Sequence, residues 1–122
     1  MTYYEGHGAT ETVNILGTVY SVYLDVPPGA DDILETCGGY CDKTVHRIVV
    51  GGRDEDTNLG NFAEYAKLAL RHEIIHAFLF ESGLGANAIW HVEGQEHPEQ
   101  MVDWIAMQFP KILKAFQDVG AI

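Results

Sequence analysis

Four stretches of the chain carry a hydrophobic pattern that predicts an element. Thr12 to Val26, "TVNILGTVYSVYLDV", is rich in Val, Ile, Tyr and Thr, which favour strands. Gly17 interrupts it, which predicts two short strands separated by a bulge or tight turn. Lys43 to Gly52, "KTVHRIVVGG", alternates and then becomes continuously apolar before paired glycines, the mark of a strand. Leu59 to Ser82 reads as one long helix. Glu64, Lys67 and Arg71 form its polar stripe, and Phe62, Ala69, Glu73, His76 and Phe80 lie on the opposite face with His72 at its flank. Gly83 suits a left-handed cap. Pro98 suits the first turn of a second helix running to about Phe109. Pro110 is expected to stop or kink it, and Lys111 to Asp118 to form a further helical segment. Between these stretches, residues 1–11 read as a loose polar start, "PPGADD" as a loop and Gly38-Gly39 as a turn. The pattern predicts an α+β fold: a single domain over residues 12–122, with a small, mostly antiparallel sheet packed on the two helices.

Composition narrows the class. A chain of 122 residues with 47% apolar and 20% charged residues is one ordinary folded domain. A net charge of −11 repels phosphate backbones, so nucleic acid is not expected as a partner. No apolar run approaches the roughly 20 residues of a membrane helix. "MTYYEGHGATE" lacks the basic and apolar regions of a signal peptide, so a cytoplasmic location is expected. Cys37 and Cys41, in "CGGYC", are then expected as reduced thiols in a turn. They have no second Cys or Cys-His pair to complete a metal site.

The chemistry is concentrated in "LRHEIIHAFLFESG", Leu70 to Gly83. His72 and His76 are four residues apart, so on a helix their imidazoles reach one ion. Zinc suits imidazole and leaves a fourth position for water in a catalytic site. Glu73 stands beside a ligand and can serve that water as general base. This is the H-E-x-x-H arrangement of metalloproteases. A buried helix can also carry two histidines that are each satisfied by a hydrogen bond.

A third ligand is sought in "EGQEHPEQMVDW", where Glu93, Glu96, His97, Glu99 and Asp103 can all bind metal. Glu99 and Asp103 share one side of the second helix, at the edge of its apolar arc, where unpaired charge is costly. Glu99 is therefore assigned as the third ligand. Asp103, one turn on, is assigned to accept the outer N–H of a ligand histidine. The plainer reading is a glutamate favoured by the helix dipole and a solvated aspartate.

"HEIIH" followed by "EQMVD" resembles the gluzincin metallopeptidases, and "EQMVDWIAMQFP" resembles the E-x-x-A-N-x-F-A…P segment of minigluzincins and ImmA/IrrE-type peptidases. Val102 and Asp103 depart from the Ala and Asn of that pattern. The chain as a whole, over about residues 12 to 117, looks like the small zincin-like proteins of bacteriophages and integrative elements. The resemblance implies one Zn2+ per chain and a peptide or protein substrate. It also implies a sheet edge that holds the substrate by strand addition, for which the "TVHRIVV" strand is the candidate. His91 and His97 are candidates by type for steadying an oxyanion or for a fourth ligand. The expected activity is zinc-dependent peptide hydrolysis with Glu73 as base. The alternative is a non-catalytic domain of a phage or mobile element that keeps zinc as a staple, closed by His91, His97 or Glu96.

Overall fold

The computed structural model describes residues 2–54, 57–84 and 98–122. After a helical turn α1 (Tyr3–Gly6) the chain forms β1 (Glu11–Ile15) and β2 (Thr18–Val26). Two 3₁₀ turns (Pro28–Ala30 and Asp32–Glu35) lead to β3 (Gly39–Asp42) and β4 (Arg47–Gly51). Two long helices follow, α2 (Phe62–Ser82) and α3 (Glu99–Asp118). The fold is α+β, with a small mixed sheet of order β1-β2-β4-β3.

The Gly17 interruption is a tight hairpin. Leu16 and Gly17 both have positive φ, 53° and 96°, which two-residue hairpin turns require. β1–β2 and β3–β4 pair antiparallel, while β2–β4 is parallel. A parallel pair needs a long crossover, and residues 27–46 supply it. That crossover corrects one expectation. The "TVHRIVV" strand is not an edge: β4 lies between β2 and β3. The continuous run Ile48-Val49-Val50, at most 1% exposed, was the available signal, because a strand covered on both faces reads as unbroken apolar sequence. The edge beside the helices is β3, which begins at Gly39 where a turn is expected from the sequence.

The sheet has a dry side and a tyrosine side. Towards α2, Ile15, Tyr20, Val22 and Ile48 pack with Ala77 of the helix, each large apolar side chain contributing about 1.5–3 kcal/mol by burial. On the reverse, Val26, Leu34 and Val49 are covered by Tyr3, Tyr4, Tyr23 and Tyr40. α1 is thus docked by its tyrosines, although residues 1–11 are expected from the sequence as loose. At the far end of α2, Glu81 accepts hydrogen bonds from Thr18 Oγ1 (3.0 Å) and Tyr20 OH (2.7 Å), which pins the helix to β2.

α2 starts three residues later than its pattern suggests, because Asn61 caps it by accepting from the Glu64 N–H at 3.2 Å. Gly83 ends it with φ 83°. α3 runs unbroken through Pro110. Proline lacks the N–H that the carbonyl four residues back, Ala106, would accept. Arg71 of α2 donates its Nε to that carbonyl at 2.7 Å instead. Arg71 therefore leaves the solvent stripe in which its spacing places it, whereas Glu64 and Lys67 stay there as an exposed pair. The hydrogen bond clasps α3 to α2 one residue before His72.

Candidate metal centre

α2 presents His72, Glu73 and His76 inward because residues one turn apart share a face. Glu73 is 7% exposed and His76 9%. The first turn of α3 crosses over them, with Val102 and Ala106 fully buried against α2. That packing brings Glu99 to both histidines. Its Oε2 is 3.0 Å from His72 Nε2 and its Oε1 is 3.0 Å from His76 Nε2. The two Nε2 atoms are 3.1 Å apart. On the outer side of the ring, His72 Nδ1 lies 2.7 Å from Asp103 Oδ1.

The protons in this cluster follow from the acceptors. Asp103 can only accept when ionised, so His72 carries its proton on Nδ1. When the ring carries that proton alone, its Nε2 offers a lone pair, aimed at a carboxylate and at a second Nε2. Two imidazoles and a carboxylate about 3 Å apart must share protons or a cation among their facing lone pairs. A proton on one imidazole answers that demand partly. A divalent ion answers it fully: bonds of about 2.0–2.1 Å arranged tetrahedrally set neighbouring ligand atoms about 3.3 Å apart. Here the two Nε2 atoms are 3.1 Å apart and each faces a different oxygen of Glu99 at 3.0 Å, slightly tighter than that. The donor set can therefore hold a metal ion.

Glu73 is differently placed. One of its oxygens lies within 4.8 Å of ring nitrogens of His72 and His76, and among the described residues no hydrogen-bond donor to it is found. Its carboxyl is pushed up to about 7, chiefly by burial, with Glu99 and Asp103 adding to the rise and His72 opposing it. It opens with His72 and Asp103 onto a cavity of about 250 Å³ whose other side is Cys37, Gly38 and Gly39 at the head of β3. Neither thiol is in a disulfide. Cys41 is not in a turn but in β3, facing the core, where burial raises its pKa to about 12.

Of the residues singled out in the sequence, His72, Glu73, His76, Glu99 and Asp103 converge. Glu93, Glu96, His91 and His97 lie outside the described residues. Tyr65, which the sequence did not single out, lines the cavity beside Glu73. Its position two turns before His72 on the same helix was the available signal. Arg71 was missed because its partner is a backbone carbonyl, which no side-chain pattern reveals. Comparison with protein-family models, curated proteins and solved structures finds no match to this chain. No described helix is long and apolar enough to cross a membrane.

Proposed function

We propose that this domain is a zinc-dependent peptide hydrolase of gluzincin type. His72, His76 and Glu99 would hold the ion. The observation that supports the reading most is the convergence of two imidazole Nε2 atoms 3.1 Å apart, each 3.0 Å from one oxygen of the Glu99 carboxylate, beside the buried carboxylate of Glu73. A metal ion in that position supplies Lewis acidity, which polarises a carbonyl and makes water acidic near neutral pH.

The chain's own residues do the rest. Asp103 fixes the His72 tautomer and so keeps Nε2 free to bind. Glu73, whose pKa of about 7 suits a group that must both take and give a proton at neutral pH, serves as general base. It accepts a proton from water as the water oxygen adds to the scissile carbonyl. It then passes that proton to the departing nitrogen as the C–N bond breaks, so that acid and amine products leave and Glu73 is restored. The substrate is a peptide or protein, laid along the free edge of β3 by strand addition. Antiparallel pairing uses the backbone groups of alternate residues. Gly38 O already accepts from Gly51 N at 2.9 Å, so the groups of Gly39 and Cys41 are the ones directed outward.

One observation favours a second reading, the zinc staple. α3 packs chiefly on α2, and the proposed ligands come from both helices, so an ion there would tie α3 to the domain. Glu73→Gln separates the two. The variant should bind one zinc per chain and melt close to wild type. Peptide hydrolysis should fall by about 10²- to 10⁴-fold, the usual contribution of a general base. A wild type that holds zinc through four protein ligands and cleaves nothing across a broad peptide library is the staple.

A further inference from the structure

α3 is anchored at one end. Among the described residues its only buried members are Val102 and Ala106, both in its first two turns. A helix of 20 residues is about 30 Å long, so more than half of it runs on with no buried side chain. Yet that half is not polar. At 100° per residue, Trp104, Ile105, Phe109, Ile112 and Phe116 fall within one arc of about 140°. Gln108 is the single polar side chain in the arc, and every charged residue of the helix lies outside it. Trp104, Phe109 and Phe116 are 58%, 49% and 46% exposed.

Beside this arc, α2 and α3 enclose a hollow of about 520 Å³ lined by Ile74, Ile75, Phe78, Leu79, Ile105 and Phe109. The remaining lining residue, Arg71, turns its Nε to the Ala106 carbonyl. Phe78 is 41% exposed. Groove and ridge belong to one stripe: Ile105 and Phe109 wall the hollow, and Ile112 and Phe116 continue the same face over the next two turns.

The charge distribution indicates what covers the stripe. With 18 acidic and 7 basic residues, two copies of the chain repel one another over most of their surface. The arc carries no charge, so it neither repels a second copy nor calls for a basic partner. A twofold contact needs a surface complementary to itself, and a ridge that continues out of a groove meets that need. With two α3 helices antiparallel, the Phe116 end of each falls over the groove of the other. A face about 30 Å long and one to two helices wide offers on the order of 500 Å² per copy, which reaches the roughly 1,000 Å² in total that a specific interface must clear.

We infer that the chain forms a twofold dimer through α3, in which Phe116 of each copy enters the hollow beside Phe78 of the other. Glu99 and Asp103 lie outside the arc, so the contact is independent of the hydrolase reading.

The test is sedimentation equilibrium of the zinc-loaded full chain from low to high micromolar concentration. Wild type should reach the mass of two chains. Phe116→Lys and Phe78→Glu should each raise the dissociation constant by at least about 10-fold, the effect of losing an interface anchor, with zinc content and circular dichroism unchanged. An equal mixture of the two variants should associate again. In the mixed pair the new carboxylate meets the new ammonium on one side, and two native phenylalanines meet on the other. If Phe78→Glu does not fold, Phe116→Lys alone decides. A wild type that stays monomeric, or a dimer that Phe116→Lys leaves intact, overturns the inference. Two dissociated variants whose mixture stays monomeric overturn the pairing of Phe116 with Phe78. Monomeric wild type that binds phosphatidylcholine vesicles, with binding lost in Phe116→Lys, assigns the stripe to a lipid surface and overturns the dimer.

Discussion

Asp31 and Glu73 are acidic side chains on opposite sides of the same sheet, and their surroundings push them in opposite directions. Asp31 accepts hydrogen bonds from the hydroxyls of Tyr4 and Tyr40 and from the Ile33 N–H. Arg47 stacks on Tyr4 nearby, 4.2 Å from the ring centre. Burial raises the Asp31 pKa, yet these hydrogen bonds outweigh it and hold the carboxyl below its usual value. Tyr40 is correspondingly pushed up to about 12, by burial first and then by its bond to Asp31. Glu73 is more deeply buried, has two other carboxylates for neighbours, and is driven up to about 7. A carboxylate ringed by donors is a structural fastener. A carboxylate buried among its own kind costs stability and makes sense where a proton or a cation comes and goes.

The widest test of that contrast exchanges each carboxylate for its amide. Glu73→Gln should remove about 10²- to 10⁴-fold of the hydrolytic rate while leaving the melting temperature level or slightly higher, since it deletes a poorly solvated charge. Asp31→Asn should do the reverse, lowering the melting temperature and leaving hydrolysis intact. Calorimetry and a peptide assay on the two variants decide it, and matching behaviour in both would erase the distinction.

The next effect is on metal affinity. Asp103→Ala should weaken zinc binding by about 10- to 100-fold, the typical cost of losing a group that orients a ligand. Glu99→Ala, which removes a ligand, should cost more. Competition against a chelator of known affinity gives the order, and the reverse order would make Asp103 the ligand. In wild type, stripping the metal should lower the melting temperature, because an ion bound only by the folded state stabilises it by mass action.

A smaller effect concerns the clasp between the helices. Arg71→Met leaves the Ala106 carbonyl without a partner, at a cost of about 1–3 kcal/mol. In a Pro110→Ala background the restored N–H satisfies that carbonyl, so the same substitution should cost much less. Zinc affinity should not recover with stability, since the link between α2 and α3 is still missing. Equal costs of Arg71→Met in the two backgrounds would mean that the 2.7 Å contact contributes little.

The smallest effect is acid stability. Because the folded-state pKa of Asp31 is depressed, its contribution is present above the unfolded value, about 3.9, and is lost as pH falls through the lower folded value. Tyr4→Phe should reduce stability at neutral pH and flatten its decline below about pH 4. Urea unfolding followed by tyrosine fluorescence at several pH values measures the slope, and an unchanged slope would detach Asp31 from acid stability.

What the sequence determined by itself is local. The hairpin at Gly17, the long helix with His72, Glu73 and His76 on its inner face, and its end at Gly83 all follow from periodicity and backbone preference within a few residues. The spacing of Glu99 and Asp103 placed both on one side of a helix. Other features depended on partners remote in sequence. β3 has four residues, two of which, Gly39 and Asp42, are poor strand formers; it is a strand because β4 pairs with it. β4 became interior because the crossover returned past it. α3 survived Pro110 because an arginine 35 positions before Ala106 replaced the missing donor. Asp31 read as part of a loop until two tyrosines from distant segments closed on it. The cluster of His72, His76 and Glu99 belongs to both accounts. Each helix carried its members of the cluster in its own periodicity, but only the packing of Val102 and Ala106 against α2 sets the 3 Å separations, because distances between side chains on different elements are set by the core between them.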